Sequence, residues 1–353
     1  NMKKFNSVLL FFITSFFIVT LFTGCGEEDI VTNNPTIDST GLNLYILNEG
    51  SSPGSGTLSL YRGENDSMYR SIYSGTLSYP DGLLLDGGYI YVLEQGAAFG
   101  GNGKIYKLTV NGTYVSESQP FGSSPYSLVV SNNKLFVTNG PSSSVTVLEK
   151  NSLNVIKTIP VGVYPQNILA NGNMVYVCNT SAFGGSSDST ISVIDAVQDS
   201  LITTITLRKE PTSLFYSGGY LFAGCNSAGV IYKINPATNT KTDSFFVNSG
   251  FDKDISYGTQ GNNLSFIDAS NNISELDILN GNVTTLVTNP DPVNNFFYGY
   301  TYISKPYILD AKNFTVNGKL YVYSNSGVLE KTFTTGIAPR RSAFSISVIS
   351  GAN

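Results

Sequence analysis

The sequence has no histidine, no tryptophan and few charges among its 353 residues. Without histidine it cannot form a Ser-His-Asp triad, an imidazole general base or an imidazole-ligated metal site. Without tryptophan, WD-type repeats are excluded. Charged residues make up 13% of the chain, against ~25% in an average domain, and the net charge is −5. Nucleic-acid binding is not expected, because phosphate contacts need clustered lysine and arginine. We therefore expect a binding protein rather than an enzyme, with no cofactor and no metal site.

The N-terminal segment resembles a bacterial lipoprotein signal peptide. Two lysines precede an apolar run, Ser7–Phe22, which is shorter than the ~20 residues that a membrane-spanning helix needs. The run ends in Leu-Phe-Thr-Gly before Cys25. This ending is similar to a lipobox, whose cysteine is lipidated and becomes the first mature residue. We predict a signal peptide at 1–24, followed at 25–41 by the lipidated cysteine and a flexible tether.

The residues after Cys25 predict where the protein resides. The sequence Gly-Glu-Glu-Asp follows the cysteine. It resembles the surface-export signal of lipoproteins in one phylum of Gram-negative bacteria. We expect an outer-membrane protein, exposed on the cell surface and attached to the membrane only through its lipid. The periplasmic leaflet is the alternative.

From Leu42 onward the chain consists of short apolar runs separated by turn residues, which is typical of strands and hairpins. One unit recurs: a turn proline, an apolar strand, a tight turn and an aromatic-valine strand. Weaker copies without proline follow at Asp252 and Asn295. The four prolines, spaced by 45, 40 and 46 residues, are Pro80, Pro125, Pro165 and Pro211.

The repeat predicts an all-β, seven-bladed β-propeller with four strands in each blade. A period of about 45 residues matches one blade, and residues 42–353 hold seven such units. The N-terminal piece, 44–73, supplies three strands, and the C-terminal piece, 339–349, supplies one. Joining these pieces completes a blade and removes two exposed edges. An all-β sandwich or a set of unrelated hairpins is the alternative.

Three short motifs resemble the repeat signature of the YVTN-type (YncE-like) β-propellers. They are Phe136-Val-Thr-Asn139, Tyr176-Val-Cys-Asn179 and the variant Tyr45-Ile-Leu-Asn48. This resemblance implies a fold and not a function, because propellers host many activities. A lipid-anchored propeller of this size is also similar to the cobalamin-binding lipoproteins that cap outer-membrane vitamin B12 transporters. That similarity implies an accessory of nutrient uptake, but it carries no ligand-contact residue over to this chain.

A binding site is expected on one face of the propeller. The loops that lead into the first strands share this face with the loops between second and third strands. These loops combine aromatic rings, amides and paired arginines, which suits a polar organic ligand, a glycan or a protein loop. The alternative is that these side chains only plug the channel. The predicted ligand-binding residues are Tyr79, Asp81, Phe99, Tyr126, Tyr164, Gln166, Asn167, Phe183, Arg340 and Arg341.

Two further pairs of residues occupy equivalent positions in the repeat. Cys178 and Cys225 lie in neighbouring units. Two buried thiols are favoured there over a disulfide, since blades splay apart. Glu49 and Glu94 each come after a predicted second strand, and we favour turn-capping acids there over a catalytic pair.

Three functions are compatible with these observations. The leading hypothesis is a non-catalytic surface lipoprotein that binds a cobalamin-like ligand, a glycan or a surface protein, with an outer-membrane transporter as a candidate partner. The first alternative is a carboxylate- or metal-dependent propeller hydrolase or lactonase. The second is a structural surface protein whose propeller mediates only protein contacts.

Overall fold

The computed structural model describes residues 41–181, 185, 187–208, 210–247 and 251–346, except for the side chains of 251–254. Within these residues the chain forms seven antiparallel sheets of four strands each. Several predicted features lie outside the described residues. They are the signal peptide, Cys25 and the tether up to residue 40, Phe183, and residues 347–349 of the closing strand.

Each sheet is one blade of the propeller. Blade 1 contains β1 (Leu42–Asn48), β2 (Thr57–Arg62), β3 (Ser67–Tyr69) and, from the other end of the described chain, β28 (Pro339–Ile346). Blades 2 to 4 take consecutive strands: β4 (Pro80–Asp86), β5 (Tyr89–Glu94), β6 (Lys104–Thr109), β7 (Tyr114–Glu117); β8 (Pro125–Ser131), β9 (Lys134–Asn139), β10 (Ser144–Glu149), β11 (Val155–Pro160); β12 (Pro165–Asn171), β13 (Met174–Asn179), β14 (Thr190–Asp195), β15 (Ser200–Thr206).

Blades 5 to 7 follow the same order. Their strands are β16 (Ser213–Ser217), β17 (Tyr220–Cys225), β18 (Val230–Asn235), β19 (Thr240–Phe246); β20 (Phe251–Tyr257), β21 (Asn263–Asp268), β22 (Ile273–Asp277), β23 (Val283–Val287); β24 (Phe297–Ile303), β25 (Lys305–Asp310), β26 (Asn317–Tyr323), β27 (Leu329–Ile337). A short 3-10 turn, Asn226–Ala228, lies between β17 and β18.

The two ends of the propeller complete blade 1. Strand β28 pairs antiparallel with β1, placing Leu42 opposite Ile346 and Leu47 opposite Arg341. It is the innermost strand of its sheet and contacts β24 and β4, the first strands of the neighbouring blades. The prediction of a seven-bladed propeller closed by the C-terminal strand is therefore confirmed. The outer strand β3 ends at Tyr69, earlier than the predicted limit of residue 73.

The hydrophobic core is divided among the interfaces between blades. In one cluster, Leu44 and Ile46 of β1 pack against Tyr307 and Leu309 of β25. Second and third strands are covered on both faces, so their burial is nearly continuous, as in β5. Burying one such side chain contributes roughly 1.5–3 kcal/mol, and the interfaces thus hold the blades at fixed positions around the channel.

The asparagine of the YVTN-like motif connects two strands and a loop. Asn139 and Asn179 are fully buried. Their Nδ2 atoms donate to Thr146 Oγ1 and Ser192 Oγ of the third strand, each at 2.9 Å. A Cβ built on Gly122, three residues before Pro125, would clash with Asn139. The motif therefore fixes the loop that leads into the first strand.

Strand direction defines two faces. Each first strand begins at its leading loop, and the antiparallel second strand returns the chain to the same side. The leading loops and the loops between second and third strands therefore lie on one face, which we name the mouth face. The tight hairpins between first and second strands lie on the opposite face. The chain enters β1 at Leu42 on this opposite face, because β1 is the second strand of its blade.

The expectation for the two cysteines of the repeat can be compared with the structure. Cys178 and Cys225 are buried thiols in the core between blades 4 and 5 and form no disulfide, as favoured. In the part of the chain that the structure describes, no helix has the length and apolar character needed to cross a membrane.

Candidate functional site

A β-bulge at the start of the first strand aims one side chain into the mouth. In blade 2, Pro80 lies opposite Glu94 and Gly82 lies opposite Leu93, so Asp81 has no partner in the ladder. A bulge reorients a side chain and is common beside binding sites. The register shifts at the same place in blades 1, 3, 4 and 7. In blades 3 and 4 a second residue, Ser127 or Asn167, also stands outside the ladder. We name the residue directly after the first residue of each of these strands the bulge residue, and the five bulge residues are Asp81, Tyr126, Gln166, Tyr298 and Arg340.

All five bulge residues line one cavity of about 360 Å³, which we name the mouth cavity. Thr212, just ahead of β16, extends the same ring into blade 5. The volume falls in the range of ~300–1,000 Å³ that is usual for small-molecule sites. The repeat therefore delivers side chains from six blades to one concave surface.

Most of the predicted site residues meet at this cavity. Asn167 instead lines a second cavity farther along the channel. Tyr79 does not line the mouth cavity, and Phe183 lies outside the described residues. Ligand binding by any of these residues stays a prediction. The seven that line the mouth cavity are Asp81, Phe99, Tyr126, Tyr164, Gln166, Arg340 and Arg341.

Sequence reasoning missed Gln95, Thr212 and Tyr298, which also line the cavity. A usable signal existed for Thr212, because it directly follows a leading proline, as Asp81 does. No such signal marked Tyr298, since blade 7 has Phe297 where blades 1 to 5 have proline.

Four charged side chains meet at the edge of the cavity. Arg340 Nη1 lies 2.7 Å from Glu49 Oε1 and 3.0 Å from Asp81 Oδ1. Arg341 Nε donates to the backbone oxygen of Asp81 at 3.2 Å. Only 1% of the Asp81 side chain and 12% of the Arg340 side chain are exposed. Such buried charges are tolerated only when they are paired, and here one arginine bridges two carboxylates.

Neutral side chains complete this network. Gln95 Nε2 donates to Asp81 Oδ2, and Arg340 Nη2 donates to the Tyr126 hydroxyl. The Tyr298 hydroxyl donates to Glu49 Oε1 at 3.3 Å. Four blades therefore contribute to one hydrogen-bonded group, which holds four of the five bulge residues in place: Asp81, Tyr126, Tyr298 and Arg340.

Burial is the largest influence on the pKa of Glu49 and raises it above its ordinary value. The charge of Arg340 lowers this pKa, whereas the charge of Asp81 raises it further. Burial, together with the charge of Glu49, raises the pKa of Tyr298 far above its ordinary value. The tyrosine therefore remains a neutral donor.

Aromatic rings form the remaining wall. Three ring atoms of Tyr164 lie 3.1–3.2 Å from the point that a Cβ on Gly140 would occupy, so the ring rests across the glycine backbone. The Tyr126 ring centroid lies 4.9 Å from the Arg340 guanidinium carbon and 5.4 Å from that of Arg341. These contacts fix the orientation of both rings.

The arginine pair also separates two compartments. Arg340 and Arg341 line the mouth cavity and a second cavity of about 290 Å³, where Ser127, Asn167 and Thr301 supply polar groups. The arginines thus form the floor of the mouth cavity.

The described acids of the site pair with arginine and do not cluster with one another around a metal position. Among the residues that the structure describes, no group of three or more His, Cys, Asp or Glu side chains is placed to hold a metal ion. Glu49 and Asp81 are engaged by Arg340 instead. The mouth is therefore built from ion pairs, amides and rings.

Sequence comparisons do not assign the chain to a family. No family model matches it, and no curated protein matches its sequence significantly. The resemblances to YVTN-type propellers and to cobalamin-binding lipoproteins accordingly stay expectations.

Solved structures do resemble the fold. The periplasmic gluconolactonase PpgL of Pseudomonas aeruginosa aligns with a TM-score of 0.67 at 15% identity, over 87% of this chain and 99% of that one. A proposed 6-phosphogluconolactonase from Bacteroides fragilis gives 0.65 at 13%, over 86% and 98%. BamB of Moraxella catarrhalis gives 0.53 at 16%, over 83% of each chain. At these identities the likeness shows a β-propeller and does not settle whether this chain is catalytic.

Proposed function

We propose that the protein is a non-catalytic binding module whose mouth cavity captures a polar organic ligand. The observation that carries this proposal is the convergence of five bulge residues on one cavity. A bulge disrupts the hydrogen bonds of the strand ladder. Because it recurs at the start of the first strand in five blades, we infer that the displaced side chains act together. Aromatic walls with a few fixed polar groups are typical of ligand sites.

The state of the carboxylates supports binding over catalysis. Arg340 holds both Glu49 and Asp81 within 3.0 Å, and Gln95 also donates to Asp81. These contacts give both acids a positioning role toward Arg340 and Gln95. Hydrogen-bonded ion pairs can instead offer fixed donors and acceptors to a bound ligand.

Two tyrosines provide a matched test of this proposal. Tyr79 and Tyr164 both precede a leading proline and have φ of 49° and 48°, but only Tyr164 lines the cavity. We expect Tyr164→Ala to weaken binding at least tenfold and Tyr79→Ala to weaken it far less, because Tyr79 does not line the cavity. Isothermal titration with the ligands of a broad polar panel measures both. Equal losses in the two variants would place binding elsewhere.

We further propose that the protein is anchored to the outer membrane through Cys25. The lipobox-like sequence that precedes this cysteine supports the proposal. Such an arrangement suits an accessory of nutrient uptake beside an outer-membrane transporter. Cys25→Ser should release the protein from the membrane fraction. Protease treatment of intact cells distinguishes surface exposure from the periplasmic leaflet.

A hydrolase is the second candidate. It is favoured by two acids in different environments near one cavity, Glu49 with a raised pKa and the almost fully buried Asp81. Opening of glucono-1,5-lactone, followed in a pH-stat, tests it. Turnover that disappears in Glu49→Gln would establish catalysis and contradict the binding proposal.

A further inference from the structure

We infer that the ligand of the mouth cavity is a neutral saccharide of one or two rings that stacks on Tyr164. This inference rests on the proposed binding function and goes further by naming the ligand class. Three properties of the described cavity residues support it: a fixed aromatic platform, internally balanced charges and a limited volume.

Tyr164 supplies the platform. Because its ring rests across the backbone of Gly140, the ring cannot turn toward that neighbour, and any side chain at residue 140 would displace it. The face of an aromatic ring is electron-rich. The C–H groups on one side of a pyranose carry partial positive charge, so a sugar ring stacks on such a face.

The charge balance favours an uncharged ligand. The two arginines and the two acids of the network lie in contact with one another: Arg340 with Glu49 and Asp81, and Arg341 with Asp81. An anionic ligand would compete with both acids for Arg340, and a cationic ligand would compete with the arginines. Breaking a buried ion pair is costly. A neutral polyol accepts and donates hydrogen bonds without breaking the pairs.

Neutral side chains around the cavity match hydroxyl groups. Gln95, Gln166 and Thr212 each contain both a donor and an acceptor, as a sugar hydroxyl does. The charged members provide stronger hydrogen bonds of fixed direction. Together these groups can recognise the pattern of hydroxyls around a ring.

The volume limits the size of the ligand. About 360 Å³ lies at the lower end of the range for small-molecule sites, and Arg340 and Arg341 lie at the boundary between this cavity and the second one. One or two sugar rings fit such a space, whereas a large macrocycle does not fit within it.

The absence of tryptophan permits a direct readout. Phe99 lines the cavity with 72% of its surface exposed, so Phe99→Trp places a single indole at the mouth. Its fluorescence would be titrated with glucose, galactose, N-acetylglucosamine, maltose and cellobiose, and with glucuronate, glucosamine, short peptides and cyanocobalamin. Calorimetry on the unsubstituted protein repeats every positive titration.

We expect saturable binding of at least one neutral saccharide. Glucuronate and glucosamine should bind at least tenfold more weakly than the neutral sugar. Tyr164→Ala and Gly140→Ala should each weaken binding at least tenfold, and Tyr164→Phe should keep most of the affinity. Tyr114→Ala, on the outer strand β7, should match the unsubstituted protein. Melting curves of all variants show whether each one is folded.

The outcomes separate this inference from the proposed function. Binding at the mouth that is confined to charged or macrocyclic ligands overturns the saccharide inference and leaves the binding function standing. Saccharide binding that is indifferent to Tyr164→Ala also overturns the inference, because stacking then plays no part. No binding across the whole panel overturns both.

Discussion

Two carboxylates on the two faces of the propeller respond to their surroundings in opposite ways. On the opposite face, Asp66 pairs with Lys331 at 2.6 Å, and 46% of its side chain is exposed. Hydrogen bonds from Lys331 and Tyr61 lower its pKa. At the mouth, Glu49 pairs with Arg340 at 2.7 Å and is 20% exposed, and burial raises its pKa. The two carboxyls belong to similar ion pairs, but their pKa values shift in opposite directions. Their contributions to the folding free energy therefore change with pH in opposite directions.

The two faces differ in how far their ion pairs are exposed to water. Ion pairs on the opposite face connect loops in water and contribute little each. The mouth holds charges that burial penalises, and such perturbed groups concentrate at functional sites. The blade interfaces supply the stability that makes this arrangement possible.

The largest effect should come from removing the central acid of the mouth. Asp81 and Asp86 both lie in β4, but Asp81 is almost fully buried between two arginines, whereas Asp86 pairs with Lys150 near the surface. Asp81→Ala should cost about 3–5 kcal/mol because it leaves a buried arginine with one partner fewer. Asp86→Ala should cost about 0–1 kcal/mol. Denaturant unfolding measures both, and similar values would contradict the contrast between the faces.

Two glycines of blade 4 allow the packing density at the mouth face to be compared with that at the opposite face. A Cβ on Gly162, at the mouth, would stand 2.3 Å from Asp188 Oδ2 and 2.5 Å from Asn179 Cγ. Gly172, in the hairpin of the opposite face, has a φ of +58° with nothing within 4 Å. We expect Gly162→Ala to cost about 2–3 kcal/mol by overpacking, and Gly172→Ala to cost about 1 kcal/mol from the left-handed backbone.

Substitution by asparagine distinguishes overpacking from backbone strain as the cause of each loss of stability. It tolerates the left-handed region, so Gly172→Asn should recover most of the stability that Gly172→Ala loses. Gly162→Asn should be worse than Gly162→Ala, because its longer side chain meets the same neighbours. Recovery at Gly162 would mean that backbone conformation, and not packing, requires that glycine.

The fold was predictable because each repeat has a recognisable local sequence pattern. Turn prolines and alternating strands recur at a blade-sized period, and the three strands at one end need the single strand at the other. The site was only partly predictable, because a bulge is a property of paired strands. Nothing in the sequence around Tyr298 shows that its register will shift.

The two matched tyrosines show the same limit. Tyr79 and Tyr164 share a Tyr-Pro sequence and nearly the same φ. The tyrosine of blade 4 meets Gly140, the residue after the second strand of blade 3. The equivalent residue before blade 2 is Glu49, whose side chain is engaged by Arg340. Which tyrosine enters the mouth therefore depends on a neighbour in the adjacent blade.

A smaller effect should appear in the pH dependence of stability at the mouth. The raised pKa of Glu49 means that the folded state binds its proton more tightly than the unfolded chain does. The contribution of this group to stability therefore falls as the pH rises above its ordinary value of 4.5 toward its folded pKa. Glu49→Gln resembles the protonated form and should gain stability relative to the unsubstituted protein between acidic and neutral pH. The opposite trend in unfolding free energy would show that Arg340 outweighs burial.

The smallest effect should come from the exposed pair on the opposite face. Asp66 has a lowered pKa, so its contribution is present above its ordinary value of 3.8 and is lost as the pH falls below it. Both side chains are more than one-third exposed, and solvent screening reduces the coupling to about 0.2–1 kcal/mol. A double-mutant cycle of Lys331→Ala and Asp66→Asn measures this coupling, which should vanish in 1 M salt, where the Debye length is ~3 Å. The coupling between Arg340 and Glu49 should persist at that salt concentration, because protein rather than electrolyte surrounds the pair. If both couplings respond to salt alike, the mouth is as hydrated as the opposite face, and burial cannot be the cause of the raised pKa.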